Sequence, residues 1–187
     1  MLDVYLRLPG DACAIRNPVI AQMATTRTHA SAELTVKAAN PLVAAVKETF
    51  DTMLGASIRR TGLELRPDNA AMYDISALIG VSGRVAGAFC ISFTFEMAAG
   101  AVARFTGMEV DPRSGLVIDG VGEFTNVIVG SAKERFDLPL NLGIPNVVVG
   151  DKHRVTFPPQ AKPMRITFQS DFGPMLIDFG FSCSSFG

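Results

Sequence analysis

Glu123 and Asn126 lie three residues apart in the run Asp119-Gly-Val-Gly-Glu123-Phe-Thr-Asn126-Val-Ile-Val-Gly130-Ser-Ala-Lys133. Three residues is just under one helical turn, so on a helix the carboxylate and the amide stand side by side on one face. The carboxylate only accepts hydrogen bonds, whereas the carboxamide donates and accepts at once. Together they can hold a basic group and a water molecule. An amide is a poor general base but a good positioner. Phosphoryl transfer needs that kind of help: its transition state is loose, and the attacking water chiefly has to be oriented in line, as a glutamine amide does in GTPases. The neighbouring acid can pair with a lysine of a docked partner. No phosphate-cradling glycine loop or magnesium-binding carboxylate cluster accompanies the pair in the sequence. Metal and phosphate therefore have to arrive with the partner.

The elements that position this pair can be read from periodicity. The motif predicts a helix from about Leu116 to Arg135, with Asp119 one turn before Glu123 on the same face. Asp119 there either helps docking or favours the helix start through the dipole. Gly120 and Gly122 each cost a helix roughly 1 kcal/mol, which implies close approach by another surface, a partner's or the chain's own sheet. Upstream, Asn40-Pro41 reads as an N-cap and first helical position, with Leu42, Val46, Phe50 and Leu54 at helical spacing and Gly55 as the stop. Residues 58–66 alternate as a strand, residues 72–81 and 84–94 form a hairpin, and residues 96–105 form a short helix before Gly107. Pro139 and Pro145 break the stretch after the motif helix. Residues 146–150 are a short strand, and residues 163–169 and 174–182 a closing hairpin. The class is α+β: two layers, with helices packed on a largely antiparallel sheet. Glu48-x-x-Asp51 followed by Gly55 repeats the frame of Glu123-x-x-Asn126 followed by Gly130 at a lag of 75 residues. The echo suggests a duplicated half-domain in which only the second copy keeps the amide.

Composition narrows the remaining classes. With 187 residues, 48% hydrophobic and 19% charged, the chain suits one domain with a sizeable core. A net charge of −1 gives no reason to expect nucleic-acid binding. Cys13, Cys90 and Cys183 form no CxxC pair, and His29 and His153 stand apart from any ligand cluster, so no metal site is expected. Reduced thiols place the chain in the cytoplasm, with Cys90 buried. No run of about 18 apolar residues predicts a membrane span, and the N-terminus lacks the basic leader and apolar stretch of a secretory signal. Residues 1–37 are expected to be a flexible tail ahead of a domain spanning 38–187. Met23 is an alternative start, which N-terminal sequencing decides.

The motif resembles that of the CheC/CheX/FliY family of chemotaxis phosphatases, CheX-like members most closely. Asp119, Glu123, Asn126 and the later Pro145 follow the family frame, as do Gly130, Lys133 and the run Ile144-Pro145-Asn146-Val147-Val148-Val149-Gly150. The likeness spans roughly residues 38–182. CheC-like members carry two Glu-x-x-Asn helices and CheX-like members one. Asp51 stands where a first amide would be, so this chain looks like the single-site type. The resemblance implies a CheC-like fold, a homodimer formed through the sheets, and the aspartyl phosphate of a CheY-like response regulator as substrate. It assigns water orientation to Asn126 and docking to the regulator's lysine to Glu123, with Mg²⁺ supplied by the phosphorylated regulator. Asp119 and Lys133 are further candidates for partner contact. The alternative is a non-catalytic regulator-binding adaptor on the same fold.

Overall fold

The computed structural model describes residues 18–136, 140–158 and 160–183. Cys13 and Pro139 lie outside them. Helix α1 spans Pro18–Thr49 and continues into a π-helical turn over Phe50–Leu54, closed by Gly55 in the left-handed conformation at φ 53°. The helix start expected at Asn40-Pro41 is thus corrected: Pro41 lies inside the helix. A proline there removes the bond to the carbonyl four residues back, at about 3 kcal/mol. Buried residues on both sides of it, Ala38 and Ala39 before and Leu42, Ala45 and Val46 after, hold the helix through that break. The segment expected to be a loose tail is helical from Pro18, and Ser31 and Thr35 are buried. Thr35 Oγ1 donates to the Ser31 carbonyl at 3.0 Å and accepts from the Phe181 backbone N–H at 3.3 Å, tying this part of the helix to the last strand.

The strands are β1 (Ile58–Leu65), β2 (Ile75–Gly83), β3 (Val85–Phe93), β4 (Leu140–Leu142), β5 (Asn146–Val149), β6 (Met164–Ser170) and β7 (Gly173–Cys183). They form one sheet in the order β1-β6-β7-β3-β2-β4, with β5 also paired to β2, and every pairing is antiparallel. The second arm of the expected hairpin, residues 84–94 and nearly all apolar or small, is β3, and it lies inside the sheet, flanked by β7 and β2. β4 was not expected. Three residues are too few to show alternation, and this strand is held by pairing with residues 81–83. β1 alternates in sequence as a strand with one wet face would, but as an edge strand it is exposed on most of both.

Helices α2 (Phe95–Thr106) and α3 (Gly115–Lys133) pack with α1 on one sheet face. Strand alternation supplies the core there: Ile75, Ala77, Ile79 and Val81 of β2, Phe89, Ile91 and Phe93 of β3, and Met175, Ile177, Phe179 and Phe181 of β7. The opposite face carries Ser76, Cys90, Arg165 and Asp178. Here the segment after β5 lies against the sheet, with Val155 packed beside the Met72, Cys90 and Leu176 cluster.

Candidate functional site

The site rests on α3. Ser114 precedes it in extended conformation (φ −69°, ψ 156°). The helix then buries Val117, Val121, Phe124, Thr125, Ile128, Val129 and Ala132 on the sheet and the neighbouring helices. That burial fixes the rotation of the helix and leaves one stripe in solvent. Asp119, Glu123, Asn126 and Lys133 are all exposed, and half-exposed Gly130 sits between the last two. Their spacing of four, three, four and three residues aligns them as a ridge. Among the described residues, these four side chains form no hydrogen bond or ion pair. They are unengaged groups on a packed helix, and the structure brings together all the residues expected on this face.

The glycines of the motif have an internal explanation. A Cβ on Gly120 would collide with Val102 of α2, and one on Gly122 would lie 3.5 Å from Val147 of β5. The close approach expected from Gly120 is therefore that of the chain's own α2, with β5 in ordinary contact at Gly122.

The echo of the motif has a different environment. Glu48 accepts from Arg135 Nη2 at 2.5 Å and from Ser131 Oγ at 3.1 Å. Those bonds hold its carboxyl below the ordinary carboxylate range, the Arg135 hydrogen bond being the largest cause and Ser131 the next. Glu48 ties α1 to the end of α3, whereas Glu123 is unengaged. Asp51 lies exposed in the π-helical turn.

The remaining candidate groups are accounted for elsewhere. Among the described residues, no group of three or more His, Cys, Asp or Glu side chains is placed to hold a metal ion. His153 contacts the Gly150 carbonyl through Nδ1 at 2.7 Å and Ser76 Oγ through Nε2 at 2.8 Å. Cys90 is buried, and desolvation, followed by the Asp178 charge, pushes its thiol up to about 12. Among the described residues, no helix is long and apolar enough to cross a membrane. A cavity of about 590 Å³ opens between α1 and the chain beyond α3, walled by Leu34, Pro41, Phe136 and Phe181, with Lys37 and Arg135 also in its lining; none of the ridge residues borders it.

Sequence reasoning missed one polar centre. Asp178 accepts from Arg66 Nε at 2.5 Å, Arg165 Nε at 2.7 Å and Arg165 Nη2 at 2.8 Å. The signal was present: a carboxylate inside the apolar run Met175–Phe181 needs a buried partner.

Fold and site together define an α+β domain whose helical layer presents an acid and an amide to solvent on a packed helix. The family model for chemotaxis phosphatase CheX matches residues 75–169, just over half of the chain. The chain belongs to the CheX family. Among solved structures it is similar to the chemotaxis protein CheX from Vibrio vulnificus, with 26% identity and a TM-score of 0.71, covering 78% of this chain and 99% of that one. A putative chemotaxis protein from Desulfovibrio vulgaris Hildenborough matches at 28% identity and a TM-score of 0.71, covering 78% and 97%. The CheX–CheY–BeF₃–Mg²⁺ complex from Borrelia burgdorferi shares the fold at 16% identity and a TM-score of 0.65, covering 76% of this chain and 96% of that one. A search of curated proteins gave no match.

Proposed function

We propose that this protein hydrolyses the aspartyl phosphate of a CheY-like response regulator in chemotaxis or related two-component signalling. The observation that carries the reading is the ridge: a carboxylate and an amide one turn apart, both exposed, on a helix whose opposite side is packed. Family membership supports phosphatase chemistry. A fold neighbour was solved with CheY, BeF₃ and Mg²⁺, which supports a regulator of that type as partner.

In this mechanism α3 enters the regulator's phosphate site. Asn126 accepts from the attacking water through its carbonyl and donates to a phosphoryl oxygen through its amide. The water oxygen bonds to phosphorus as the bond to the aspartyl oxygen breaks. The regulator's carboxylate leaves as the anion, and inorganic phosphate carries away the water's oxygen together with its protons. Glu123 pairs with the regulator's lysine and fixes the approach. Asp119 and Lys133, at the two ends of the ridge, make flanking partner contacts. Mg²⁺ belongs to the regulator and neutralises phosphate charge there. The protein works in the cytoplasm as a homodimer, for which the singly paired edge strand β1, with Leu63 40% and Leu65 70% exposed, offers a surface.

The test is a phosphate-release assay on a panel of phosphorylated receiver domains with Mg²⁺, comparing wild type with Asn126→Ala. Acceleration by wild type and its loss in the variant are expected. Equal acceleration by both would refute the water-positioning role, and binding without acceleration by wild type would mark an adaptor.

A further inference from the structure

The α3 ridge has an apolar shoulder on one side. Helix α2 meets α3 where Val102 occupies the space left by Gly120. One turn further along α2, the Phe105 ring meets the Phe124 ring edge-on, with centroids 6.1 Å apart. Phe124 is buried next to Glu123, and Phe105 covers it while remaining 58% exposed. Met108, just past α2, is 56% exposed. Leu116 and Val127, 43% and 38% exposed, lie seven residues before and four after Glu123, on the same stripe of α3. Scattered exposed apolar residues are ordinary. Here they border a row of unengaged polar groups on packed helices.

The charges around this shoulder select its occupant. Glu109, Asp111, Asp119 and Glu123 are exposed about it. Two nearby cations are turned elsewhere: Arg113 stacks on Phe95, 4.4 Å from the ring centroid, and Arg104 Nε donates to the Leu54 carbonyl at 2.8 Å. The rim is acidic around an apolar centre. A second copy meeting it symmetrically would set one acidic rim against another. A partner surface with an apolar patch beside a basic side chain, such as the lysine proposed to meet Glu123, fits it.

We propose that Phe105 and Met108, with Leu116 and Val127, form the recognition surface for the regulator, seating an apolar patch that flanks its phosphate site. The proposal rests on the phosphatase reading and deepens it: the ridge supplies chemistry and the charged docking contact, and the shoulder adds affinity and choice of regulator.

The test titrates the full chain with CheY-like receiver domains loaded with beryllofluoride and Mg²⁺, and measures steady-state hydrolysis on the phosphorylated forms. The variants are Phe105→Ser/Met108→Ser, Met108→Ser alone, whose side chain is largely in solvent, and Asn126→Ala, with thermal melting as a fold check. The double variant is expected to raise Kd and KM by roughly 10-fold or more, and Met108→Ser by roughly 3-fold, with kcat at saturating regulator unchanged. Kd and KM within about 2-fold of wild type for both shoulder variants overturn the shoulder, whatever Asn126→Ala does. Wild-type hydrolysis by Asn126→Ala removes the catalytic reading while Kd still decides the shoulder. Failure of the wild type to bind any receiver removes both. Sedimentation showing that the double variant dissociates a dimer assigns the surface to a second copy and overturns the proposal.

Discussion

Asn126 and Glu123 stand one turn apart, and their proposed roles separate in kinetics. A group that orients water acts in the transition state, so Asn126→Ala should lower kcat by roughly 100-fold or more while binding of the beryllofluoride-loaded regulator changes little. A docking charge acts before it, so Glu123→Ala should raise KM by roughly 10- to 100-fold. If the two variants show the same split, the roles are misassigned. Thr125, between them, faces inward, and its Oγ1 is buried without a hydrogen-bond partner among the described residues. Thr125→Val removes that hydroxyl at nearly constant shape. It should leave the fold unchanged or stabilise it by about 1 kcal/mol, read as a rise in melting temperature; a clear loss would mean the hydroxyl has a partner. The ridge was legible in sequence because apolar residues at helical spacing fix which face is wet. The cause of the glycines was not, because Val102 comes from another helix.

At the scale of elements, what matters is how α3 is held. Its exposed face is useful only if the helix keeps its rotation and tilt. The sheet fixes the rotation, and at its end Arg135 and Ser131 both reach Glu48 of α1. Glu48→Gln should lower the midpoint of thermal unfolding modestly at neutral pH. The pairing lowers the folded-state pKa of Glu48 below its ordinary value of 4.5. Its contribution is therefore fully present above that value and lost as pH falls through the lower folded value. Melting curves of wild type and variant should converge as pH falls below the lowered folded-state pKa of Glu48; a gap that persists once Glu48 is protonated in the folded protein would show that the carboxylate is not its source. Sequence pattern identified Glu48 as an echo of the motif without showing that it is spent on structure, since its partners lie 83 and 87 residues away. The course of α1 was hidden for a related reason. Local propensity places a helix start at Asn40-Pro41, and only tertiary packing of residues on both sides carries the helix through.

For the whole molecule, the two sheet faces do different work. The helical face holds the apolar core and carries the ridge. On the opposite face, Asp178 joins distant parts of the chain. Arg66, just after β1, binds Asp178 and also donates to the Ala70 and Val155 carbonyls at 3.3 and 3.0 Å. Arg165 of β6 grips both carboxylate oxygens and reaches the Ala71 carbonyl at 3.3 Å. Asp178 is fully buried, with the two arginine side chains 7% and 11% exposed. Removing one member leaves buried charge unpaired, which costs far more than the intact cluster contributes. Asp178→Ala should therefore destabilise by about 3–5 kcal/mol, measured by denaturant unfolding. Replacing all three with apolar residues of similar volume should recover much of that loss. Because this cluster lies across the sheet from α3, the triple variant should hydrolyse phosphorylated regulator with unchanged kcat wherever it is folded. A fall in kcat at full folding would mean the two faces are coupled. An equal loss of stability in single and triple variants would mean the cluster stabilises by its pairing and not by the avoidance of lone charges.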